Sequence, residues 1–189
     1  MEIIQQHSTI FYVLAFTFGL YMCWGIGAND VANAMGTSVG SGAITVKQAL
    51  ILAAIMEFAG AYLAGGAVAA TISKGIIDGK LFEPVPHLLM FGMMGALLAA
   101  GIWLMLATMR GWPVSTTHSI IGAVCGVGVA ALGVDAVKWD KMTEIVASWF
   151  ISPVLGGIVA LALTLSIRKL ILNTENPIAQ ARKWGPMYA

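Results

Sequence analysis

The sequence predicts an all-α integral membrane protein with about five transmembrane helices, some of them broken or re-entrant. Hydrophobic residues make up 59% of its 189 residues and charged residues only 10%, whereas roughly 25% is usual in a soluble domain. Mean hydropathy is +0.86. The 22 glycines are typical of closely packed membrane helices rather than of soluble ones.

The composition also excludes other classes of protein. Disorder requires low hydrophobicity and high net charge, and the net charge here is +1. The same charge argues against a nucleic-acid partner, which would need a basic surface. The two cysteines are too few for a disulfide scaffold. Because Cys23 and Cys125 both lie in apolar segments, we predict free thiols.

The distribution of charge locates the helices. The long segments without Asp, Glu, Lys or Arg are 3–29, 31–46, 58–73, 88–109, 111–134 and 145–167. A bilayer core of about 30 Å requires about 20 apolar residues as helix. The predicted spanning helices are therefore 7–27, 48–72, 88–109, 118–134 and 145–168. Of these, 118–134 is short and follows a proline and a Ser/Thr cluster, which favours a broken or re-entrant element.

Lys and Arg set the expected orientation, because they concentrate in cytoplasmic loops. With five spans, one side holds six basic residues: Lys47, Arg110, Arg168, Lys169, Arg182 and Lys183. The other side holds four: Lys74, Lys80, Lys138 and Lys141. This predicts a multi-pass protein of the cell membrane with its N-terminus outside and its C-terminus in the cytoplasm.

The first candidate site lies in residues 25–46. Asn29, Asp30 and Asn33 follow the first apolar segment and have no basic neighbour in the sequence. Their oxygens suit a hard cation such as Na⁺, and their amides or a protonated carboxyl could donate to an anion. The segment 28–46 is too polar for a simple span and too uncharged for an external loop, which favours unwound backbone at membrane depth. A turn with Asn and Asp as caps is the alternative.

The second candidate is Glu57, which lies in the middle of the predicted helix 48–72. Its helical neighbours are all small: Ala53, Ala54, Gly60, Ala61, Ala64 and Gly65. Such a face packs against other helices, and a buried acid needs a partner, a bound cation or a proton. We expect a role in cation or proton coupling. The alternative is a protonated Glu57 that only hydrogen-bonds a neighbouring helix.

The third candidate is the segment 110–119. Pro113 can precede a helix, and Ser115, Thr116 or Thr117 can cap it. A helix N-terminus binds anions through its free N–H groups and its dipole, and three hydroxyls add donors. An ordinary helix cap at the membrane surface is the alternative, and His118 is expected to be structural or interfacial.

Together these motifs resemble the PiT family of inorganic phosphate transporters. The similarity includes the runs 27–34 and 36–42, Glu57, the run 74–78, and the second motif 113–122. The resemblance implies no enzyme and no cofactor, but secondary transport of phosphate coupled to Na⁺ or H⁺. It implies that Asp30, Ser115, Thr116 and Thr117 contact phosphate. Asn29 and Asn33 would belong to the same phosphate and cation site, and Glu57 would be essential for transport or coupling.

The resemblance also implies two inverted repeats, whereas each motif occurs once here. The resemblance is to the N-terminal half of such a transporter, so residues 1–172 are predicted to be one transmembrane repeat of an inverted-repeat transporter. Residues 173–189 would be a polar cytoplasmic tail or the start of a linker. The expected partners are phosphate, membrane lipid and a second repeat, supplied by a homodimer or by a separate half. A sulfate permease of the same family and a non-transporting membrane subunit or fragment remain alternatives.

Overall fold

The computed structural model of the chain describes residues 6–188, so the N-terminus with Glu2 lies outside the described residues. The chain divides into two compact units, which meet between Trp139 and Asp140. The helices of the first unit are α1 (Ser8–Gly40), α2 (Val46–Ala70), α3 (Pro86–Met109) and α4 (Thr116–Leu132). Those of the second are α5 (Trp139–Ile167), which begins at the boundary, and α6 (Pro177–Trp184). Short π-helical turns, Thr71–Gly75 and Arg168–Leu172, extend α2 and α5.

Within the described part of the chain, four helical segments are long and apolar enough to cross a membrane: Ser8–Gly40, Val46–Gly75, Pro86–Met109 and Trp139–Leu172. The predicted span 118–134 corresponds to α4, which has only 17 residues. No strand occurs among residues 6–188. The all-helical membrane architecture predicted from the sequence is therefore confirmed, with four long helices and one shorter apolar helix.

The segment 28–40 differs from its prediction, because it is neither unwound nor a capped loop. It is the C-terminal part of α1, which continues for 33 residues, or about 50 Å. A continuous helix satisfies its backbone hydrogen bonds internally, which outweighs a cost of about 1 kcal/mol for each glycine. The chain turns only after Gly40, where Gly42 adopts φ +76°, a conformation that glycine tolerates.

The core of the first unit lies where α1 crosses α3. Met22 packs with Ala100 and Leu104. At Gly101 a β-carbon would lie 2.8 Å from Cδ1 of Tyr21, and at Gly25 a β-carbon would lie 3.1 Å from Cβ of Leu104. Glycine therefore sets the close approach of these two helices, in the way that small residues do in membrane proteins.

A second cluster joins the segments that follow the C-terminal ends of α2 and α4. Ile77 forms an isolated antiparallel bridge with Val137, and the N–H of Asp78 donates to the carbonyl of Ala136 over 2.9 Å. Ile77 and Phe82 are almost completely buried. The connection after α2 and the connection after α4 therefore lie at the same end of the first unit, as alternating spans require.

The second unit is one long helix with a folded tail. The N–H of Asn173 donates to the carbonyl of Arg168 over 2.8 Å, and Asn176 caps α6. The Tyr188 hydroxyl hydrogen-bonds that of Ser166. Residues 173–188 thus fold against the end of their own helix, and their assignment as a cytoplasmic tail or linker stays a prediction.

Candidate functional site

Asn29 connects α1 to the turn between α3 and α4. Its Nδ2 donates to Oγ1 of Thr108 over 3.2 Å and to the carbonyl of Trp112 over 3.1 Å. Its Oδ1 accepts from Nδ2 of Asn33 over 3.2 Å and from the N–H of Val114 over 3.3 Å. An Asn side chain has two N–H donors and an oxygen with two lone pairs, so all of its hydrogen-bonding capacity is used. Only 5% of Asn29 is exposed.

Asp30 makes the contact that joins the first and third candidate segments. The Thr116 hydroxyl donates to its Oδ2 over 2.9 Å, across 86 positions of sequence. Both residues are half-buried. Within the described range 6–188, Asp30 takes part in no ion pair. Its carboxylate therefore lies beside the N-terminus of α4, where the helix dipole favours negative charge.

The first turn of α4 retains donors for an anion. Ser115 caps the helix, as the sequence allowed, and its hydroxyl accepts from the N–H of His118 over 3.2 Å. The first N–H groups of any helix lack partners within it, which here leaves those of Thr116 and Thr117. Thr117 is exposed. The turn thus combines amides and hydroxyls, of which the hydroxyl of Thr116 contacts Asp30.

The turn between α3 and α4 lies against the middle of α1 and not at its end. Arg110 ends α3, and Gly111 reverses the chain with φ +67°. Asn29, which holds this turn, lies eleven residues before the end of α1 at Gly40, or about 16 Å along the helix. The break in the helical backbone is therefore here, between α3 and α4, and not in the Asn-Asp segment.

A small cavity of about 100 Å³ lies against this turn. Its walls come from one face of α1 and from the turn: Ala28, Asn29, Ala32, Asn33, Thr108, Gly111, Trp112 and Pro113. The polar side chains among them are the amides of Asn29 and Asn33 and the hydroxyl of Thr108. No set of three His, Cys, Asp or Glu side chains suited to a metal occurs in residues 6–188. Asp30, Ser115, Thr116 and Thr117 do not line this cavity.

The match to known proteins covers the residues that build this site. The sequence matches the phosphate transporter family over residues 26–189. The chain belongs to the phosphate transporter family. Its membership confirms the resemblance drawn from the motifs and identifies a family of transporters rather than enzymes. With its long apolar helices, this family member is a multi-pass membrane protein.

The relatives extend well beyond this chain. A Haemophilus influenzae protein whose name places it among the phosphate permeases is 52% identical over 188 residues, which are 100% of this chain and 45% of that protein. Inorganic phosphate transporter 2-1 of Arabidopsis thaliana, named as chloroplastic, is 47% identical over 90% of this chain and 29% of its own. The chain therefore spans less than half the length of these relatives.

A solved structure is similar over the same region. It is described as the sodium-dependent phosphate transporter, and it superposes with a TM-score of 0.83 at 44% identity. The match covers 91% of this chain and 42% of that one. The fold of this family member therefore corresponds to a part of a transporter twice its length.

Glu57 stands apart from the other predicted site residues. Among the described residues it forms no ion pair, and its side chain is exposed on α2. Ala49 and Ala53 on the preceding turns are buried, whereas Gly60 and Ala61 on the following turns are exposed. Of the small-residue face itself, only Ala53 is buried, and Ala54 and Ala64 are exposed as well, so most of this face is not packed within the described residues.

The structure adds two groups to the site that the motifs did not single out. Thr108 and the carbonyl of Trp112 hold the amide of Asn29. A signal for Thr108 was present, because it is the one Ser or Thr in the apolar segment 88–109. No sequence pattern indicates the carbonyl of Trp112, since its role depends on how the turn folds.

Proposed function

We propose that this chain is one half of a secondary transporter that moves inorganic phosphate across the cell membrane, coupled to sodium. The observation that carries the proposal is the 2.9 Å hydrogen bond from Thr116 to Asp30, because it unites both predicted motifs in one site. Family membership supports phosphate as the substrate, since the relatives' names specify phosphate. No name among them supports the sulfate alternative.

Phosphate would be held by the N-terminus of α4. The amides of Thr116 and Thr117, the hydroxyls of Ser115 and Thr117, and the amide of Asn33 provide donors without a fixed positive charge. Dipole and amides together suit a tetrahedral oxyanion. Because no fixed positive charge holds the phosphate, its release is also easier, and a transporter needs that release at the end of each cycle.

Asp30 would distinguish phosphate from sulfate. Its Oδ2 accepts from Thr116, which leaves Oδ1 to accept a hydrogen bond from a protonated phosphate oxygen. Sulfate has the same shape but carries no proton near neutral pH, so it would meet only repulsion from the carboxylate. The same residue thus serves recognition and charge balance.

Sodium would offset the charge of phosphate through oxygens of this region. The similar solved structure is described as sodium-dependent, and carboxylate and amide oxygens are ligands of hard cations. Asp30 and Asn33 are the ligands that we propose here, with protons as the alternative coupling ion. For Asn29 we propose a positioning role instead of direct contact, because its polar atoms are already paired within the chain.

Glu57 would join the site through the second half of the transporter. It lies eleven residues after the start of α2 at Val46, and Asp30 lies ten residues before the end of α1 at Gly40. Each acid therefore lies about 15 Å along its helix from residues 41–45, the turn that joins α1 to α2. An intramembrane acid at this depth, on an exposed face of small residues, suits a coupling role at an interface between repeats.

The second half would be a separate polypeptide or a second copy of this chain. An inverted pair of identical chains needs both orientations in the membrane. The six-to-four distribution of basic residues favours one orientation, with the N-terminus outside and the C-terminus in the cytoplasm. We therefore favour a separate half, with alternating access by movement of one half against the other.

Binding of radiolabelled phosphate to the purified chain tests the proposed site. We expect saturable binding that is raised by sodium relative to choline, competed by phosphate and not by sulfate. Asp30→Asn should abolish it, because the acceptor for the phosphate proton is lost. Glu83→Gln is the control, since it removes an exposed acid outside the spans. Unchanged binding in Asp30→Asn, or equal competition by sulfate, would contradict the assignment.

A further inference from the structure

The second unit ends in a basic surface that the proposed transport function does not use. It consists of Arg168 and Lys169 at the end of the span that begins with α5, and of Arg182 and Lys183 in the last turn of α6. Glu175 is the one acid between them in the sequence. The four basic side chains are exposed, and none forms an ion pair within residues 6–188.

The fold of the tail brings the two basic pairs to one end of the helix. The π-helical turn Arg168–Leu172 packs against α6. Beyond α6, the hydroxyl of Tyr188 hydrogen-bonds Ser166, which lies two residues before Arg168. The tail therefore returns to the end of the apolar span instead of extending away from it.

A cavity of about 490 Å³ opens beside the first basic pair. Its lining is Leu165, Arg168, Lys169 and Asn173. Two cations and an amide thus face the same space as an apolar side chain of the span. A phosphodiester joined to acyl chains has this combination of charge and apolar surface.

We propose that the basic surface binds the headgroup of an anionic phospholipid. Basic clusters directly after a membrane helix attract anionic lipid. The neighbouring side chains also suit the interface between lipid and water: Ile178 is 72% exposed and Met187 is 74% exposed. Trp184, beneath the ammonium of Lys183 at 5.1 Å, is of the type enriched at this depth. A free phosphate ion would make no use of these apolar groups.

Lipid retention by the purified full chain tests this proposal. The chain is held in micelles with equal amounts of phosphatidylglycerol and phosphatidylcholine of identical acyl chains, and bound lipids are counted by native mass spectrometry. We expect a preference for phosphatidylglycerol. Each basic residue near an anionic lipid contributes about fivefold in affinity, so Arg168→Gln with Lys169→Gln should lower the preference for phosphatidylglycerol on the order of twenty-five-fold.

The matched control changes the net charge equally at another place. Lys80→Gln with Lys141→Gln removes two exposed lysines and should leave the preference unchanged. Circular dichroism checks that both variants keep their helix content. If the first variant does not fold, Arg182→Gln with Lys183→Gln takes its place, because it alters exposed positions of a short helix.

Three results would overturn the proposal. Equal retention of the two lipids would show no headgroup recognition. Equal losses in the variant and the control would show a diffuse effect of net charge. Displacement of phosphatidylglycerol by millimolar inorganic phosphate at constant ionic strength would identify a site for the free ion instead of the lipid.

Discussion

At the scale of single residues, the buried amide of Asn29 determines the geometry of the site. The sequence singled out Asn29, Asp30 and Asn33 as a polar group after an apolar segment, and their part in a binding site stays a prediction. It could not separate their roles, because those depend on contacts with residues about 80 positions away. Asn29 is saturated by Thr108, Trp112, Val114 and Asn33, whereas Asp30 and Asn33 keep atoms free for a ligand.

Replacing Asn29 with Ala should destabilise the first unit. It leaves the N–H of Val114 and other polar groups of the turn without partners, at a cost of about 1–3 kcal/mol. The temperature of unfolding in detergent measures the effect. Asn33→Ala is the control, since this exposed side chain makes one hydrogen bond and should cost within about 0.5 kcal/mol. Equal shifts for the two variants would contradict the positioning role of Asn29.

At the scale of elements, charge placement predicted most helices but not the continuity of α1. The long uncharged segments coincide with helices. This could be predicted because the number of consecutive apolar residues, which decides whether a helix can cross a bilayer, is read directly from the sequence. The glycines between 25 and 42 indicated a break, yet α1 continues to Gly40. Intrahelical hydrogen bonds decide this in an apolar medium, and the break occurs instead at Gly111.

Packing of α1 against α3 should depend on Gly101, because glycine has no side chain that would hold the two helices apart. In Gly101→Ala, a methyl group would lie 2.8 Å from the ring of Tyr21, and such overpacking costs about 1–3 kcal/mol. Gly95→Ala is the control on the same helix, since no atom lies within 4 Å of its β-carbon. That variant should gain about 0.5–1 kcal/mol from helix propensity. Unfolding temperatures in detergent compare the two, and equal values would contradict glycine-mediated packing.

At the scale of the whole molecule, the chain is similar to less than half of each relative. The single copy of each motif agrees with this partial coverage, and the assignment of residues 1–172 to one repeat stays a prediction. The exposed side chain of Glu57 is consistent with it, because an acid in an apolar helix needs a partner from elsewhere.

Phosphate uptake by cells that lack their own phosphate transport tests whether this chain and a second half together form a sodium-coupled phosphate transporter. The chain is expressed alone and together with the part of the Haemophilus influenzae relative that it does not match. We predict sodium-dependent uptake with both halves, its loss in Asp30→Asn, and no loss in Glu83→Gln. Uptake by the chain alone would favour the homodimer. No uptake with both halves inserted in the membrane, or full uptake by Asp30→Asn, would contradict the claim.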